Sequence, residues 1–369
     1  MIKTIHKAII LLLLSILLCM LIMPGVAQEP EINGYLADKP LTTYQHDTIK
    51  GGLTFTVGNS FYSGKLYPGD TYDTLFSVSI PKTATVKTAR LYNYWTWSAK
   101  GTTGIHPEMK LTFNGNEISP EAKYDDRKHW GIYDYPTGTW AYDVTSYVKE
   151  SSSHTAVIEN TALDNTFVCM DGLGLLIVYT DENGKDIEYW INEGCDMLNS
   201  QMDDDGTPLF FATPDQTTTE MMKFTVPGST VKSAFLHTVI QSGNCDANML
   251  IVNDMNFTGV CNGVPYPDLE IDERDITEYL ADGENIIQFR ASGDYAVPSG
   301  SFLMIEKNPD AGGVVADVTE VGVNEQDTAT SGTGGEEDTP GFGVIFAIAA
   351  VLICTVVVFG KSIGLNRKN

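Results

Sequence analysis

The amino-acid sequence predicts an all-β protein in which two antiparallel β-sandwich units follow one another along the chain. Apolar and polar residues alternate at period two from residue 51 onward, which is the period of a strand with one buried face. Turn signals interrupt the alternation every 8–15 residues, and a pattern that occurs twice divides the strands into two sets. Short alternating strands of this kind are typical of sandwiches of the jelly-roll or immunoglobulin-like type.

The repeated pattern has four marks in the same order. Each copy contains a strand that ends at a proline, an alternating strand, an Asn in a turn, and an Asp-x-Thr-x-Tyr sequence. Four marks in one order are hard to obtain by chance, so we infer a tandem duplication. The units are predicted at residues 51–205 and 206–308, and the second opens with the apolar run at residues 208–213. The marks lie at residues 76–81, 86–91, 114–115 and 143–148 in the first copy, and at residues 224–227, 231–236, 253–254 and 275–280 in the second.

The first 27 residues have the pattern of a secretory signal. Two lysines precede an uncharged apolar run at residues 8–23, which we expect to form a signal helix, and small residues at 24–27 offer a cleavage site. An uncleaved N-terminal anchor is the alternative. Residues 28–50 are polar and contain two prolines, so they are interpreted as a lead-in segment.

The other end of the chain predicts an anchor. Residues 309–339 are rich in Thr, Gly and Glu and cannot bury a core, which indicates a flexible stalk. Residues 340–360 then contain an uncharged apolar run, and 19 residues of helix span about 28 Å, enough to cross a bilayer core. The basic tail at residues 361–369 is expected on the cytoplasmic side, which places the β-rich part outside.

The net charge limits the kinds of partner that the protein can bind. Five of the 23 basic residues lie in the two end segments, whereas none of the 48 acidic residues does. The exterior part therefore has 18 basic and 48 acidic residues, a net charge of −30. Such a surface repels nucleic acid, so we expect no nucleic-acid partner.

Four cysteines lie in the exterior part, and an even number in an exported chain predicts two disulfides. Cys169 and Cys195 are nearly symmetric about an Asn-Gly turn, so a hairpin would bring them together. Cys245 and Cys261 are symmetric about Asn253 in the same way. We therefore expect the pairs Cys169–Cys195 and Cys245–Cys261, with free buried thiols as the alternative.

Signals for catalysis are few. The sequence contains no G-x-S-x-G, no H-E-x-x-H and no glycine-rich phosphate loop, so the protein is predicted to be non-enzymatic. Asp203 and Asp205 precede Gly206 at the junction of the units, and clustered carboxylates suit Ca²⁺. A structural Ca²⁺ ion is therefore the one cofactor considered, with a solvated acidic linker as the alternative.

Tryptophans provide the candidate ligand surface. Trp97 lies in an aromatic-rich strand, and Trp130 and Trp140 lie in a loop that only the first unit has. Aromatic faces can stack on sugars or pack on apolar partners, although large aromatics are more often part of a core. Asn256 begins an Asn-Phe-Thr glycosylation sequence inside the second proposed hairpin, where we expect it to be exposed.

The C-terminal sequence resembles the PGF-CTERM sorting signal of archaeal surface proteins. The match consists of Pro340, Gly341 and Phe342, the apolar run that follows, and the Thr-rich stalk before them. The resemblance implies that an archaeosortase removes the tail and leaves a lipid-linked C-terminus. The basic cluster at residues 367–368 comes later than in that family, and a plain transmembrane helix is the alternative.

The exterior part also resembles an uncharacterised ectodomain family of methanogenic archaea. Residues 89–97, 143–145 and 172–179 carry this similarity, which covers roughly residues 50–308. It implies extracellular display and no particular activity. A weaker similarity, to galactose-binding-like jelly rolls, rests on the repeated marks and implies a fold only.

These observations predict a non-catalytic protein at the cell surface, associated with a surface layer or adhesive. Its expected partners are an archaeosortase, a membrane lipid, and envelope proteins or glycans. One alternative is a carbohydrate-binding module that uses the aromatic loop of the first unit. The other is an extracellular hydrolase, because a chain with 48 acidic residues offers many carboxylate pairs.

Overall fold

The structure is a computed structural model, and most of the predicted exterior part is described in it. The predicted signal, stalk, sorting motif, C-terminal span and basic tail lie outside the described residues, as do Trp130 and Cys245. Within the described part, no helix is long and apolar enough to cross a membrane. The structure describes residues 34–129, 134–149, 152–243, 246–261 and 269–308.

The described chain is all-β, as the alternating sequence predicted, and its strands are joined by short turns of 3-10 helix. The strands are β1 (Thr42–Thr56), β2 (Lys65–Leu66), β3 (Thr71–Ser77), β4 (Thr85–Lys100), β5 (Thr103–Gly104), β6 (Met109–Phe113), β7 (Asn116–Ile118), β8 (Ala122–Asp126), β9 (Thr137–Asp143), β10 (Ser153–Asn160), β11 (Thr166–Thr180), β12 (Lys185–Glu193), β13 (Leu198–Asn199), β14 (Thr218–Val226), β15 (Val231–Gln241), β16 (Met249–Val252), β17 (Met255–Phe257), β18 (Leu269–Asp275), β19 (Gly283–Arg290) and β20 (Tyr295–Lys307).

The same strand arrangement occurs twice. In the first repeat a small sheet, β3-β10-β6-β7, packs on the group β11-β4-β9, and in the second a small sheet, β14-β19-β16-β17, packs on the group β20-β15-β18. The corresponding strands follow one another in the same chain order. Each repeat has its own apolar core between its two layers, because the alternating pattern puts one face of every strand inward.

The Asn marks are equivalent hairpin turns within the small sheet of each repeat, between β6 and β7 and between β16 and β17. Asn114 and Asn253 adopt left-handed backbone conformations with φ of 49° and 52°, which Asn tolerates better than most residues. The side-chain amide of Asn114 donates to the Tyr147 carbonyl at 3.2 Å, and that of Asn253 donates to the Tyr279 carbonyl at 2.8 Å. The repeated Asn therefore fixes a turn against the following 3-10 segment.

The Asp-x-Thr marks are equivalent as well. The Thr145 hydroxyl accepts the backbone N–H of Ala89 at 2.9 Å, and the Thr277 hydroxyl accepts that of Ala234 at 2.8 Å. Both threonines lie in a single turn of 3-10 helix where the chain crosses from the large layer to the small one. The sequence marks are thus the hydrogen bonds that hold each sandwich closed.

The two repeats share one large sheet, which folds back on itself. Its main strand order is β18-β15-β20-β12-β1-β11-β4-β9-β8, so β1 and β12 connect the repeats edge to edge. The first part of β1 pairs with β12 and its last part with β11, with the change at Gly51. A Cβ at Gly51 would lie 1.9 Å from the Tyr179 carbonyl oxygen, so this crossing requires glycine. A third apolar core, with Tyr92, Tyr189 and Phe302, fills the space between the facing halves.

The strand order explains why one predicted disulfide is wrong. The turn near residues 181–184 exists, but β1 lies between β11 and β12, so these strands do not form a hairpin. Cys169 and Cys195 are free buried thiols in different apolar clusters, next to Phe167 and Met197 respectively. Cys261 is also a free buried thiol, and its proposed partner lies outside the described residues.

Candidate ligand-binding site

Trp97 lies at an irregularity of β4 that turns its side chain outward. The pairing of β4 with β11 shifts between Thr96 and Ala99, and Trp97 has a left-handed φ of 54°. Such a bulge can re-aim a side chain, and a left-handed conformation is strained for a bulky residue. The indole is 45 % exposed and stacks on Tyr135 with ring centres 6.1 Å apart and planes 21° apart.

The second repeat has the same left-handed conformation at the equivalent position, directly after β15 ends, with a different residue. Counting from the matching valines that begin the repeated strands, Ser242 is the equivalent of Trp97 and has a φ of 61°. Ser242 is buried, and its hydroxyl donates to Asp171 at 3.0 Å. The backbone conformation is therefore common to both repeats, whereas the exposed aromatic side chain belongs to the first alone.

Trp97 and Tyr135 form one wall of a pocket with a volume of about 250 Å³. The pocket lies at the junction of the repeats, because its lining comes from the lead-in, β4, the segment before β9, the connector after β12, and β20. All eight lining residues are uncharged, although the chain as a whole has a net charge of −25. The lining residues are Tyr35, Trp97, Tyr135, Met197, Asn199, Gln201, Phe210 and Tyr295.

Aromatic edges form the opposite side of this pocket. Tyr35 packs edge-on against Phe210 at 5.1 Å and against Tyr295 at 6.2 Å between ring centres. Burial raises the pKa of Tyr295 well above its usual value, and its hydroxyl lies 3.4 Å from that of Thr96. The phenol therefore stays protonated at neutral pH, and the pocket stays uncharged.

Two amide side chains give the pocket its polar groups. The backbone N–H of Asn199 donates to the Tyr35 carbonyl at 3.3 Å, which attaches the lead-in to the connector. The side-chain oxygen of Asn199 accepts the backbone N–H of Gln201 at 2.9 Å, and Gln201 is exposed. A side-chain amide both donates and accepts hydrogen bonds, so the pocket can satisfy hydroxyl groups of a ligand.

Acidic side chains gather next to this region, but a lysine occupies the centre of the group. Carboxylate oxygens of Asp38, Asp126 and Asp196 lie within 4.8 Å of one another. The Lys128 ammonium binds all three, at 2.8 Å from Asp126 and 3.2 Å from Asp196. Burial lowers the pKa of Lys128, but the carboxylates outweigh it and the pKa is raised. The ammonium takes the place where a metal cation would bind.

A second ionic network lies between the facing halves of the large sheet. Arg90 and Glu193 are both fully buried and form two parallel hydrogen bonds of 2.8 Å. The Tyr92 and Tyr124 hydroxyls donate to the same carboxylate at 2.8 and 3.0 Å. These four hydrogen bonds occupy both oxygens of the Glu193 carboxylate. The network therefore joins β4, β8 and β12 and leaves no acceptor for a ligand.

The structure separates the tryptophans predicted as a ligand surface. Trp97 lines the pocket, whereas Trp130 lies outside the described residues. The prediction for Trp140 is wrong, because this residue is 3 % exposed and belongs to the core of the first repeat. Its indole N–H donates to Asp125 at 2.9 Å. The inward face of β9 buries the ring, since strand residues alternate between the two faces.

The other predicted site residues lie away from the pocket. The Asp203 carboxylate accepts the backbone N–H groups of Asp205 and Thr207 at 3.0 and 2.8 Å in an exposed turn, and a Ca²⁺ ion there stays a prediction. Asn256 is exposed on β17, the edge strand of the small sheet of the second repeat, and its glycosylation also stays a prediction.

Sequence reasoning missed most of the pocket. Tyr35 was part of the predicted lead-in, and Asn199 and Gln201 lay near the end of the predicted first unit with no role assigned. The run at residues 208–213 was expected to open the second unit, and in the structure it is a connector before β14 that places Phe210 in the pocket. The aromatic density of this connector was the available signal, because exposed aromatics in irregular segments indicate binding more often than core packing.

Comparisons with known proteins give a family without an activity. The sequence profile of a family described as "Protein of unknown function (DUF3344)" matches residues 34–306, and the chain belongs to this family. No curated protein sequence matches the chain.

Among solved structures, PNGase F, a glycosylasparaginase from Flavobacterium meningosepticum, is 14 % identical, covering 71 % of this chain and 96 % of its own, with a TM-score of 0.23. The α-L-rhamnosidase of Streptomyces avermitilis is 14 % identical, covering 72 % of this chain and 25 % of its own, with a TM-score of 0.20. The major capsid protein P2 of bacteriophage PM2 is 10 % identical, covering 70 % and 98 %, with a TM-score of 0.21. Likenesses of this strength carry no functional argument.

Proposed function

We propose that this member of the DUF3344 family is a non-catalytic cell-surface protein that holds an external envelope component in its aromatic pocket. Trp97 carries the proposal. A large aromatic side chain in a left-handed conformation is strained, and this one leaves 45 % of its surface in solvent. Ser242 supports the same backbone conformation in the second repeat without an aromatic ring. Stacking on Tyr135 leaves nearly half of the indole uncovered, and contact with a ligand would cover it.

The composition of the pocket supports binding rather than hydrolysis. General acid–base catalysis needs a titratable group within hydrogen-bond reach of the substrate, and the titratable lining residues are three tyrosines, with no carboxylate and no imidazole among them. The buried acids nearby are held in ion pairs, Glu193 with Arg90, and Asp126 and Asp196 with the shared Lys128. The pocket offers flat apolar surface and amide groups, which are the means of recognition.

The ends of the sequence support display outside the cell. The apolar run at residues 8–23 suits export, and the run at residues 342–360 suits retention at the membrane. The motif Pro340-Gly341-Phe342 suits processing by an archaeosortase and attachment to a lipid. A net charge of −25 keeps such a protein in solution above an acidic surface and away from nucleic acid.

The location of the pocket can be tested with a membrane-impermeant maleimide. Leu209 is exposed in the connector beside Phe210, and the described native cysteines are buried, so Leu209→Cys provides one accessible thiol near the pocket. We expect intact cells to label Leu209→Cys strongly and the wild type weakly. Phe235→Cys, at an exposed site in the second repeat, is the matched positive control. Labelling of Leu209→Cys only after lysis would contradict the proposed display.

A further inference from the structure

We infer that the ligand of this pocket is an electrically neutral saccharide, one ring of which stacks on Trp97. The inference rests on the proposed function and specifies the chemistry of what the pocket binds. Three properties of the lining carry it: a flat aromatic pair, side-chain amides near that pair, and the absence of charge in a strongly acidic chain.

The aromatic pair suits the face of a pyranose ring. Tyr135 stacks on Trp97 with the planes 21° apart and orients the indole, which stays 45 % exposed and so leaves aromatic surface open to a ligand. The C–H groups on one face of a sugar are apolar and slightly positive, and the face of an aromatic ring is slightly negative. A planar aromatic ligand would also stack here, but it would leave the amides without hydroxyl partners.

The amides suit the edge of the same ring. Sugar hydroxyls are both donors and acceptors, and burying one without a partner costs roughly 1–3 kcal/mol. The Asn199 side-chain oxygen already accepts the Gln201 backbone N–H, so Asn199 contributes its NH₂ group, whereas Gln201 has both an amide oxygen and an NH₂ group. The backbone positions of both residues are fixed, since Asn199 bonds to Tyr35 and Leu209 donates to the Gln201 carbonyl at 2.9 Å. The polar groups are therefore held in place before a ligand arrives.

The absence of charge selects neutral sugars over acidic ones. A carboxylate in the lining would favour a cationic ligand, and a lysine or arginine would favour an anionic sugar. The eight lining residues include none of these side chains. The chain's net charge of −25 adds repulsion against sulfated and uronic chains. A volume of about 250 Å³ is below the roughly 300–1,000 Å³ of pockets for drug-sized ligands, which favours a single ring of a longer chain.

The experiment measures binding of the full chain, purified from membranes in detergent, to a printed array of neutral hexose and N-acetylhexosamine oligosaccharides alongside uronic and sulfated chains. We expect binding to neutral chains and little to acidic ones. Trp97→Ser copies Ser242, which has the same left-handed conformation at the equivalent position of the second repeat, and it should weaken binding at least about tenfold.

Two further variants separate recognition from folding. Gln201→Ala removes one exposed amide and should weaken binding severalfold, whereas Phe235→Ala removes an equally exposed aromatic outside the pocket and should leave binding unchanged. Thermal melting of each variant checks that the fold is retained.

The outcomes distinguish the saccharide from the wider proposal. Absence of binding to every neutral chain, or binding that Trp97→Ser leaves unchanged, overturns the saccharide inference. Preference for acidic chains also overturns it. Each of these results leaves the maleimide labelling of Leu209→Cys on intact cells as the separate measure of the proposed function.

Discussion

Replacing Glu193 by Gln should destabilise the protein strongly, because it removes the negative charge that Arg90 is buried against. Both side chains are fully buried, and the carboxylate accepts hydrogen bonds from Arg90, Tyr92 and Tyr124. Gln keeps the shape but offers an NH₂ group where one oxygen accepted bonds. The Arg90 guanidinium then keeps only the half-exposed Glu121 as a counter-charge.

The magnitude follows from the burial of the pair. Breaking a buried ion pair by removing one partner costs about 3–5 kcal/mol. For a domain of this size, each kcal/mol shifts the unfolding midpoint by roughly 2 °C, so Glu193→Gln should lower it by about 6–10 °C. Differential scanning calorimetry of the full chain at neutral pH measures this shift. Glu159→Gln, at a half-exposed pair with Lys110, is the control and should leave the midpoint nearly unchanged.

A double variant provides the sharper test. Replacing Arg90 by Met and Glu193 by Leu together leaves no buried charge, so it should cost less than Glu193→Gln alone. The reasoning is refuted if Glu193→Gln melts within about 2 °C of the wild type, or if the double variant is the less stable of the two. Either result would mean that water or a rearrangement compensates the buried guanidinium.

Three more outcomes are expected. Asn114→Ala and Asn253→Ala should each lower the free energy of unfolding in urea by about 1–3 kcal/mol, with closely similar values. Both variants remove the equivalent side-chain amide bonds and strain the same left-handed turn. Unequal losses would weaken the equivalence of the repeats. Cys169 and Cys195 should react with iodoacetamide only after unfolding, because burial raises the pKa of both thiols. Mass spectrometry measures the alkylation, and thiols that are oxidised or alkylated in the folded protein would contradict this prediction. Trp140→Ala should cost about 3–5 kcal/mol as a buried indole is lost, which chemical unfolding measures, and a cost below about 1 kcal/mol would show that the indole is not core.

Local patterns predicted the strands and the equivalence of the repeats well. Period-two alternation depends on each strand having one buried face, and that holds for strands such as β3 and β10 in the small sheets. The Asn and Asp-x-Thr marks were visible because each acts within its own repeat. Asn114 and Thr145, for example, both bond to groups that belong to the same sandwich.

Long-range pairing was not visible in the sequence. The Asn-Gly turn at residues 183–184 indicated a hairpin, and nothing local reveals that β1, from far earlier in the chain, lies between the two strands. The predicted pair Cys169–Cys195 failed for this reason. Trp140 was wrongly predicted to be a surface residue. The face of β9 on which its side chain lies depends on the register of that strand, and the register is set by the pairing of β9 with β4.

The pocket could be only partly foreseen for the same reason. Trp97 was a candidate from the sequence, but Tyr35 and Tyr295 meet beside it only after the two repeats pack together. Tyr35 precedes the first repeat and Tyr295 begins the last strand of the second. Contacts between such distant segments leave no periodic signal in the sequence.

Hydrogen–deuterium exchange of the full chain, with and without a neutral oligosaccharide bound, tests most directly whether the junction of the repeats is the ligand site. Slower exchange is predicted at residues 95–99, 134–137, 197–201 and 208–211, the segments that line the pocket. The hairpin at residues 249–257 should exchange at the same rate in both states. Protection at that hairpin, with none at the pocket segments, would contradict the account.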